Sequence, residues 1–120
     1  MTSVRVLLVD DNRDAADSLA QILKFDGHTV EVAYDGAMAL EAVARFNPDV
    51  VLLDIGLPGL NGYEVARRIR ASEGGRRIRL IAITGWGQAT DERNAYDAGF
   101  DTHMVKPVDY DELAAHLAPR

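Results

Sequence analysis

The run Val4-Arg5-Val6-Leu7-Leu8-Val9-Asp10-Asp11 decides how the rest of the chain is read. Five of its first six residues are apolar, and three of those are β-branched valines. Such a run suits a strand buried on both faces of a parallel sheet. It then stops at two carboxylates. In open α/β sheets ligands bind outside the carboxyl ends of the strands, so acids delivered there are candidates for chemistry.

Working outward, the alternation of short apolar runs and longer amphipathic ones continues. Ala15, Ala16, Leu19, Ile22 and Leu23 recur at helical spacing over 12–25, and Asp26-Gly27 stops that helix. Residues 28–33 alternate more strictly and predict a strand nearer the edge. Asp35-Gly36 opens a second helix with Ala39, Leu40 and Val43 inward, and Asn47-Pro48 closes it. Asp49-Val50-Val51-Leu52-Leu53 is the most apolar strand and belongs at the centre. After the loop 54–60, Asn61 caps a third helix, with Glu64 as its capping-box partner and Val65 and Ile69 inside, ending at Glu73-Gly74-Gly75. A fourth strand spans 78–83, and Thr84-Gly85-Trp86-Gly87 is a turn. A short helix runs from Thr90 or Asp91 to Ala98. A weaker fifth strand covers 101–105, and the box Asp109-Tyr110-Asp111-Glu112 opens the last helix. The pattern is (βα) five times. It predicts an α/β fold with a doubly wound five-stranded parallel sheet, helices on both faces and right-handed crossovers.

Composition narrows the function classes. A chain of 120 residues, 48% hydrophobic, fits one domain over 1–120 with its own core. The absence of cysteine excludes disulfides, thiolate zinc sites and cysteine nucleophiles. A formal charge of -6 disfavours non-specific binding to nucleic acid or anionic membrane. Against that background Arg67, Arg68, Arg70, Arg76, Arg77 and Arg79 form a basic patch, read here as a solvated helix face and loop. No stretch is apolar enough to cross a bilayer, and the N-terminus lacks a signal-peptide pattern. A cytoplasmic domain is expected, with no direct nucleic-acid contact and no membrane insertion.

The strand ends supply a short list. The first strand delivers Asp10 and Asp11, the third Asp54, the fourth Thr84 and the fifth Lys106. Three clustered carboxylates repel, and a divalent cation resolves that repulsion. Mg²⁺ (or Mn²⁺) takes oxygen ligands and keeps several waters. Asp11 and Asp54 are the expected direct ligands, Asp10 can hold a metal-bound water, and the carbonyl of Gly56 is a further ligand. Asp54, ending the central strand, is placed as a carboxylate nucleophile, and carboxylates form phosphoryl intermediates. Lys106 and Thr84 are positioned to neutralise or donate to phosphoryl oxygens. Taken singly, each of these residues reads as a cap, a turn residue or a solvated lysine. Their joint occurrence at four strand ends carries the argument.

The runs Leu7-Leu8-Val9-Asp10-Asp11-Asn12, Val51 through Gly62, Ile81-Ala82-Ile83-Thr84-Gly85, Asp97-Ala98-Gly99-Phe100-Asp101 and the pair Lys106-Pro107 resemble receiver domains of two-component response regulators. The likeness covers essentially the whole chain. It implies a flavodoxin-like strand order 2-1-3-4-5, with Asp54 as phosphoacceptor and Asp10 and Asp11 in the acidic metal site. Thr84 becomes the switch hydroxyl, and Lys106 contacts a phosphoryl oxygen beside a cis Lys106-Pro107 bond. The implied donor is a phosphohistidine on a histidine kinase or histidine phosphotransfer protein. The implied output is a change in the face formed by residues 91–120, read by a downstream protein target. The chain would then be a switch that assists its own phosphorylation and dephosphorylation, not an enzyme acting on other substrates.

One position departs from the family pattern. His103 stands where many members carry Tyr or Phe, three residues before the lysine. The usual coupling of hydroxyl to aromatic is therefore not assured. His103 is either a partly exposed strand residue or the source of a pH-dependent output face. Trp86, two residues past Thr84, is either a loop cover or a partner anchor. Two rival functions are weighed. An aspartyl-nucleophile phosphatase needs a second acid two residues after the nucleophile, where Gly56 stands. A phosphorylation-independent interaction module gains nothing from a chain that keeps all five rim residues. Thr84-Gly85-Trp86-Gly87 and Val105-Lys106-Pro107-Val108-Asp109 resemble receivers at the C-termini of hybrid kinases, so the chain is a free-standing regulator or the receiver of a larger sensor kinase.

Overall fold

The computed structural model describes residues 3–57, 59–72, 74–85 and 92–117. Elements follow in the order β1 (Arg5–Val9), α1 (Arg13–Phe25), β2 (Thr29–Ala33), α2 (Gly36–Phe46), β3 (Val50–Asp54), α3 (Gly62–Ala71), a 3₁₀ turn (Gly75–Arg77), β4 (Arg79–Thr84), α4 (Glu92–Ala98), β5 (Thr102–Val105) and α5 (Tyr110–Leu117). The strands make one sheet in the order β2-β1-β3-β4-β5, and every neighbouring pair is parallel. This is the expected fold. All five residues of β3 are buried, as its unbroken apolar run requires, whereas β2 lies at the edge and is mostly half-exposed.

Strand periodicity divides the core in two. Leu7, Val9, Val51, Leu53, Leu80 and Ala82 face α2, α3 and α4, meeting Ala39, Val65, Ile69 and Ala95. Val6, Leu8, Val50, Leu52, Ile81 and Ile83 face the other way, onto Ala16, Ala20 and Leu23 of α1 and Leu113 and Leu117 of α5. Successive side chains of a strand point to opposite faces, so one apolar run fills both layers.

Short polar side chains start the helices where the sequence places them. Asn12 Oδ1 accepts from Ala15 N at 3.1 Å, Asp35 from Met38 N at 2.8 Å, Asn61 from Glu64 N at 3.1 Å, and Asp109 from Glu112 N at 3.1 Å. Glu64 differs from the expected box: its carboxylate pairs with Arg68 at 3.1 Å and Arg67 at 3.5 Å. Two guanidiniums one turn ahead attract it more than a backbone N–H behind it. The 3₁₀ turn and the later starts of β4 and β5 also differ from expectation. Asp101 is not yet in the strand; its carboxylate accepts from Leu80 N and Arg70, both at 2.9 Å. The expected start of α4 at Thr90 or Asp91, and Trp86, lie outside the described residues.

Arg70 and Arg79 correct the reading of the basic patch as uniformly solvated. Arg70 donates to the carbonyls of Gly99 (2.9 Å) and Gly75 (2.8 Å) as well as to Asp101. Arg79 reaches the carbonyl of Leu117 at 3.4 Å. A planar guanidinium satisfies several orphan carbonyls at once, which explains why these two are drawn in. Among the described residues, no helix is long and apolar enough to cross a membrane.

Candidate functional site

Sheet register builds the site. β1 and β3 are paired with Val9 opposite Leu53, so Asp10 and Asp54 follow one step later on adjacent strands. Parallel neighbours in register point to the same face, less than 5 Å apart. Asp10 extends the ladder, its N–H donating to Ala33 O at 3.1 Å. Both aspartates are 7% exposed. Asp11 is exposed, and a carboxylate oxygen from each of Asp10, Asp11 and Asp54 lies within 4.8 Å of the others.

Gly62 lets α3 approach the end of β3. A Cβ there would lie 2.5 Å from Ile55 Cα and 2.9 Å from Asp54 O. No other residue fits without moving the segment that carries Asp54.

Lys106 arrives from the far edge of the sheet. Its N–H donates to Thr84 O at 2.7 Å, which fixes the backbone just past β5. Its ammonium then lies 3.0 Å from Asp10 Oδ2 and 3.1 Å from Asp54 Oδ2. Burial by itself pulls the Lys106 pKa down, but hydrogen bonds and charge from Asp10 and Asp54 outweigh it, and the pKa is raised. The Lys106-Pro107 bond is cis, as the resemblance implies.

The two remaining oxygens of the buried aspartates are held by backbone. Asp10 Oδ1 accepts from Asn12 N at 2.9 Å and Asp54 Oδ1 from Gly56 N at 2.8 Å. These donors were not anticipated as site components. Their signal was local: an aspartate accepting from the N–H two residues on is an Asx turn, and Asp-x-Asn and Asp-x-Gly both favour it. Each carboxylate is thus oriented by one amide and one ammonium.

Thr84 ends β4 beside β3 and is 1% exposed. Its hydroxyl makes a long bond of 3.4 Å to Met104 O, so in this state it is turned toward β5. Gly56 follows β3 in a turn, and its N–H rather than its carbonyl is engaged with Asp54. His103 pairs in register with Ala82 on β5, half-buried, and lines a cavity of about 430 Å³ with Arg93, Tyr96 and Phe100. Tyr96 is 77% exposed there, an aromatic on α4 that helical spacing had not singled out. A second, mostly apolar groove of about 530 Å³ runs between α1 and the segment after β5. Ala15, Leu19, Ile22, Pro107 and Val108 line it, and Asp10 and Lys106 stand at its edge.

Comparison with known proteins agrees with this geometry. The family model described as the response regulator receiver domain matches residues 6–118. The response regulator MprA of Mycobacterium ulcerans (strain Agy99) is 39% identical over 115 residues, 96% of this chain and 49% of that protein. The chain therefore spans about half the length of the curated relatives it matches. Among solved structures, the receiver domain of sensor histidine kinase PA1611 from Pseudomonas aeruginosa PAO1 superposes with a TM-score of 0.85 at 34% identity, covering 97% of this chain and 95% of that one; it holds a magnesium ion coordinated in its active-site cleft. A CheY-like receiver domain protein from Methanospirillum hungatei JF-1 gives a TM-score of 0.85 at 30% identity over 97% and 91% of the two chains. With the sheet order, the acidic pocket and its lysine already in hand, these likenesses establish that the chain belongs to the response-regulator receiver domain family of two-component signalling.

Proposed function

We propose that this domain, spanning 1–120, accepts a phosphoryl group on Asp54 from a phosphohistidine, and that the acyl phosphate switches its α4–β5–α5 face. The observation that carries the reading is a nearly buried Asp54 carboxylate 3.1 Å from the Lys106 ammonium, with oxygens of Asp10 and Asp11 within 4.8 Å.

The donor set fits a hard divalent cation. It offers only oxygen, and Asp11 is exposed with no hydrogen bond or ion pair among the described residues. Asp10, Asp11, Asp54 and the Gly56 carbonyl are the residues that would hold Mg²⁺ or Mn²⁺. When bound, such an ion neutralises charge on phosphoryl oxygens. The chain does the rest. An Asp54 oxygen attacks phosphorus while the P–N bond to the donor imidazole breaks and the nitrogen keeps the electron pair. The Asx turn at Gly56 orients Asp54 for that attack, and Lys106 can move from the carboxylates onto a phosphoryl oxygen without leaving the pocket. Thr84 can donate to another oxygen only by giving up Met104 O, which ties the phosphoryl state to β5 and to His103 and Tyr96 beside it.

The apolar groove beside Lys106 fits a helix of a histidine kinase or phosphotransfer protein that brings its phosphohistidine to Asp54. The downstream target is a protein, the setting cytoplasmic, and direct contact with nucleic acid or membrane insertion is not part of this reading. The chain acts as a free-standing regulator or as the receiver of a longer protein. It is a stoichiometric acceptor that assists its own phosphorylation and hydrolysis. Intact-mass measurement with acetyl phosphate and Mg²⁺ tests this. One phosphoryl group should add to the chain, and Asp54→Asn should abolish it. Sustained turnover of a phosphomonoester, or labelling that survives in Asp54→Asn, would overturn it.

A further inference from the structure

The end of the sheet opposite Asp54 carries a feature that phosphotransfer does not use. Six of the thirteen Lys and Arg residues fall within 67–79, where Glu73 is the only acid, in a chain of net charge -6. Four of the six have partners. Arg67 and Arg68 share Glu64, Arg70 is tied to Asp101 and to backbone carbonyls, and Arg79 is bound to the end of α5. Arg76 and Arg77, exposed on the 3₁₀ turn, have side chains with no partner among the described residues.

These arginines border a groove. Between the ends of α2 and α3 lies a cavity of about 790 Å³ with an apolar floor of Leu40, Val43, Ile69 and Ile78, and with Arg68 and Arg77 on its rim. Asp49 also lines it, but its carboxylate already accepts from Arg5 N at 2.8 Å. A second depression of about 550 Å³, bordered by Arg76, continues from the first through the shared residues Ser72, Gly74 and Arg77.

We propose that this continuous surface, an apolar floor edged by Arg76 and Arg77, docks a segment of another protein that presents carboxylates beside apolar side chains. The concentrated positive charge selects acidic groups, and the floor rewards Leu, Ile or Phe between them. A duplex or a bilayer fits less well. The remainder of the chain is strongly acidic and repels an extended polyanion, and a cavity of this size takes a few side chains.

The test begins with a phage-displayed library of random peptides panned against the whole chain at low salt, followed by NMR titration of the winning synthetic peptide. Selected peptides should combine Asp or Glu with large apolar residues and should shift the amides of Val43, Ser72 and Arg77. Arg76→Glu/Arg77→Glu should weaken binding about tenfold or more. Arg76→Lys/Arg77→Lys should largely keep it, and both variants should keep the thermal midpoint and acetyl phosphate labelling. The proposal is overturned by failure to enrich any acidic peptide, by shifts elsewhere, or by binding indifferent to charge reversal. It is also overturned if vesicles of anionic phospholipid or duplex DNA bind this face in the peptide's place, or if sedimentation shows a self-association that the reversal abolishes.

Discussion

Replacing Lys106 by Met isolates the charge that holds the pocket together. Methionine keeps much of the aliphatic stem, so packing changes little and the ammonium alone is lost. At 3.0 and 3.1 Å, and with an effective dielectric of about 20, each contact with Asp10 and Asp54 is worth about 5 kcal/mol before solvation is counted. The lysine side chain is 33% exposed and the aspartates are nearly buried, so desolvation and screening remove most of that. We expect a net loss of about 2 kcal/mol, which at a urea slope of about 2 kcal/mol per M lowers the unfolding midpoint by about 1 M. The variant pocket has one more uncompensated negative charge, so Mg²⁺ should bind it more tightly, and its midpoint should rise more with MgCl₂ than that of the parent. The sign of the pH effect follows from the raised Lys106 pKa. The lysine's contribution is complete below its ordinary value of 10.5 and is lost as pH rises through the raised one, so the gap between parent and variant should narrow in strong alkali. Urea melts at a series of pH values, and at neutral pH with and without MgCl₂, measure all three effects. A variant as stable as the parent, or one that magnesium stabilises no more, would falsify the picture of Lys106 as the resident counter-ion of two buried carboxylates.

Other substitutions probe the frame around the site. Gly62→Ala pushes a methyl group to 2.5 Å from Ile55 Cα; the overpacking should cost about 1–3 kcal/mol in chemical denaturation and slow labelling of Asp54 as well. Leu52→Ala, at a fully buried position on the α1–α5 face, should cost about 3 kcal/mol while leaving the labelling rate of the folded fraction unchanged. Tyr110 donates to Asp26, and burial together with that bond pushes its pKa up to about 12. Its contribution is intact below its ordinary value of 10.0 and disappears as pH rises through about 12. At this half-buried position, screening reduces the contribution to about 1 kcal/mol. Alkaline titration of stability should therefore fall by that much more in the parent than in Tyr110→Phe, and parallel curves would refute the link.

What the sequence made legible is local or periodic. β3 announced itself as the central strand because only burial on both faces tolerates Val-Val-Leu-Leu without polar interruption. Asp35, Asn61 and Asp109 were readable as helix starts because the bond each makes spans three residues, whereas Asn12, read as the first helical residue, turns out to be the cap of α1. The acidic pocket was readable because parallel strands put all their carboxyl ends on one rim, so knowing where strands stop was enough to gather Asp10, Asp11, Asp54 and Lys106. What stayed hidden depends on partners remote in the chain. Nothing near Arg70 reveals that Gly99, 29 positions on, will present it a carbonyl. The Gly75–Arg77 turn has no periodicity to detect. The direction of the Thr84 hydroxyl depends on how β5 lies against β4, which residue order alone does not specify.

The pocket's lysine stands 52 positions from Asp54 and lies just past β5, the last strand in the chain and an edge of the sheet. Charge pairing in the pocket is thereby conditional on complete assembly. A nascent or clipped polypeptide lacking its final strand and helix could gather three acids but no cation of its own, and a phosphodonor meeting it would find an electrostatically hostile surface. The pocket's internal charge balance thus needs segments from near both ends of the chain, Asp10 just after β1 and Lys106 just after β5.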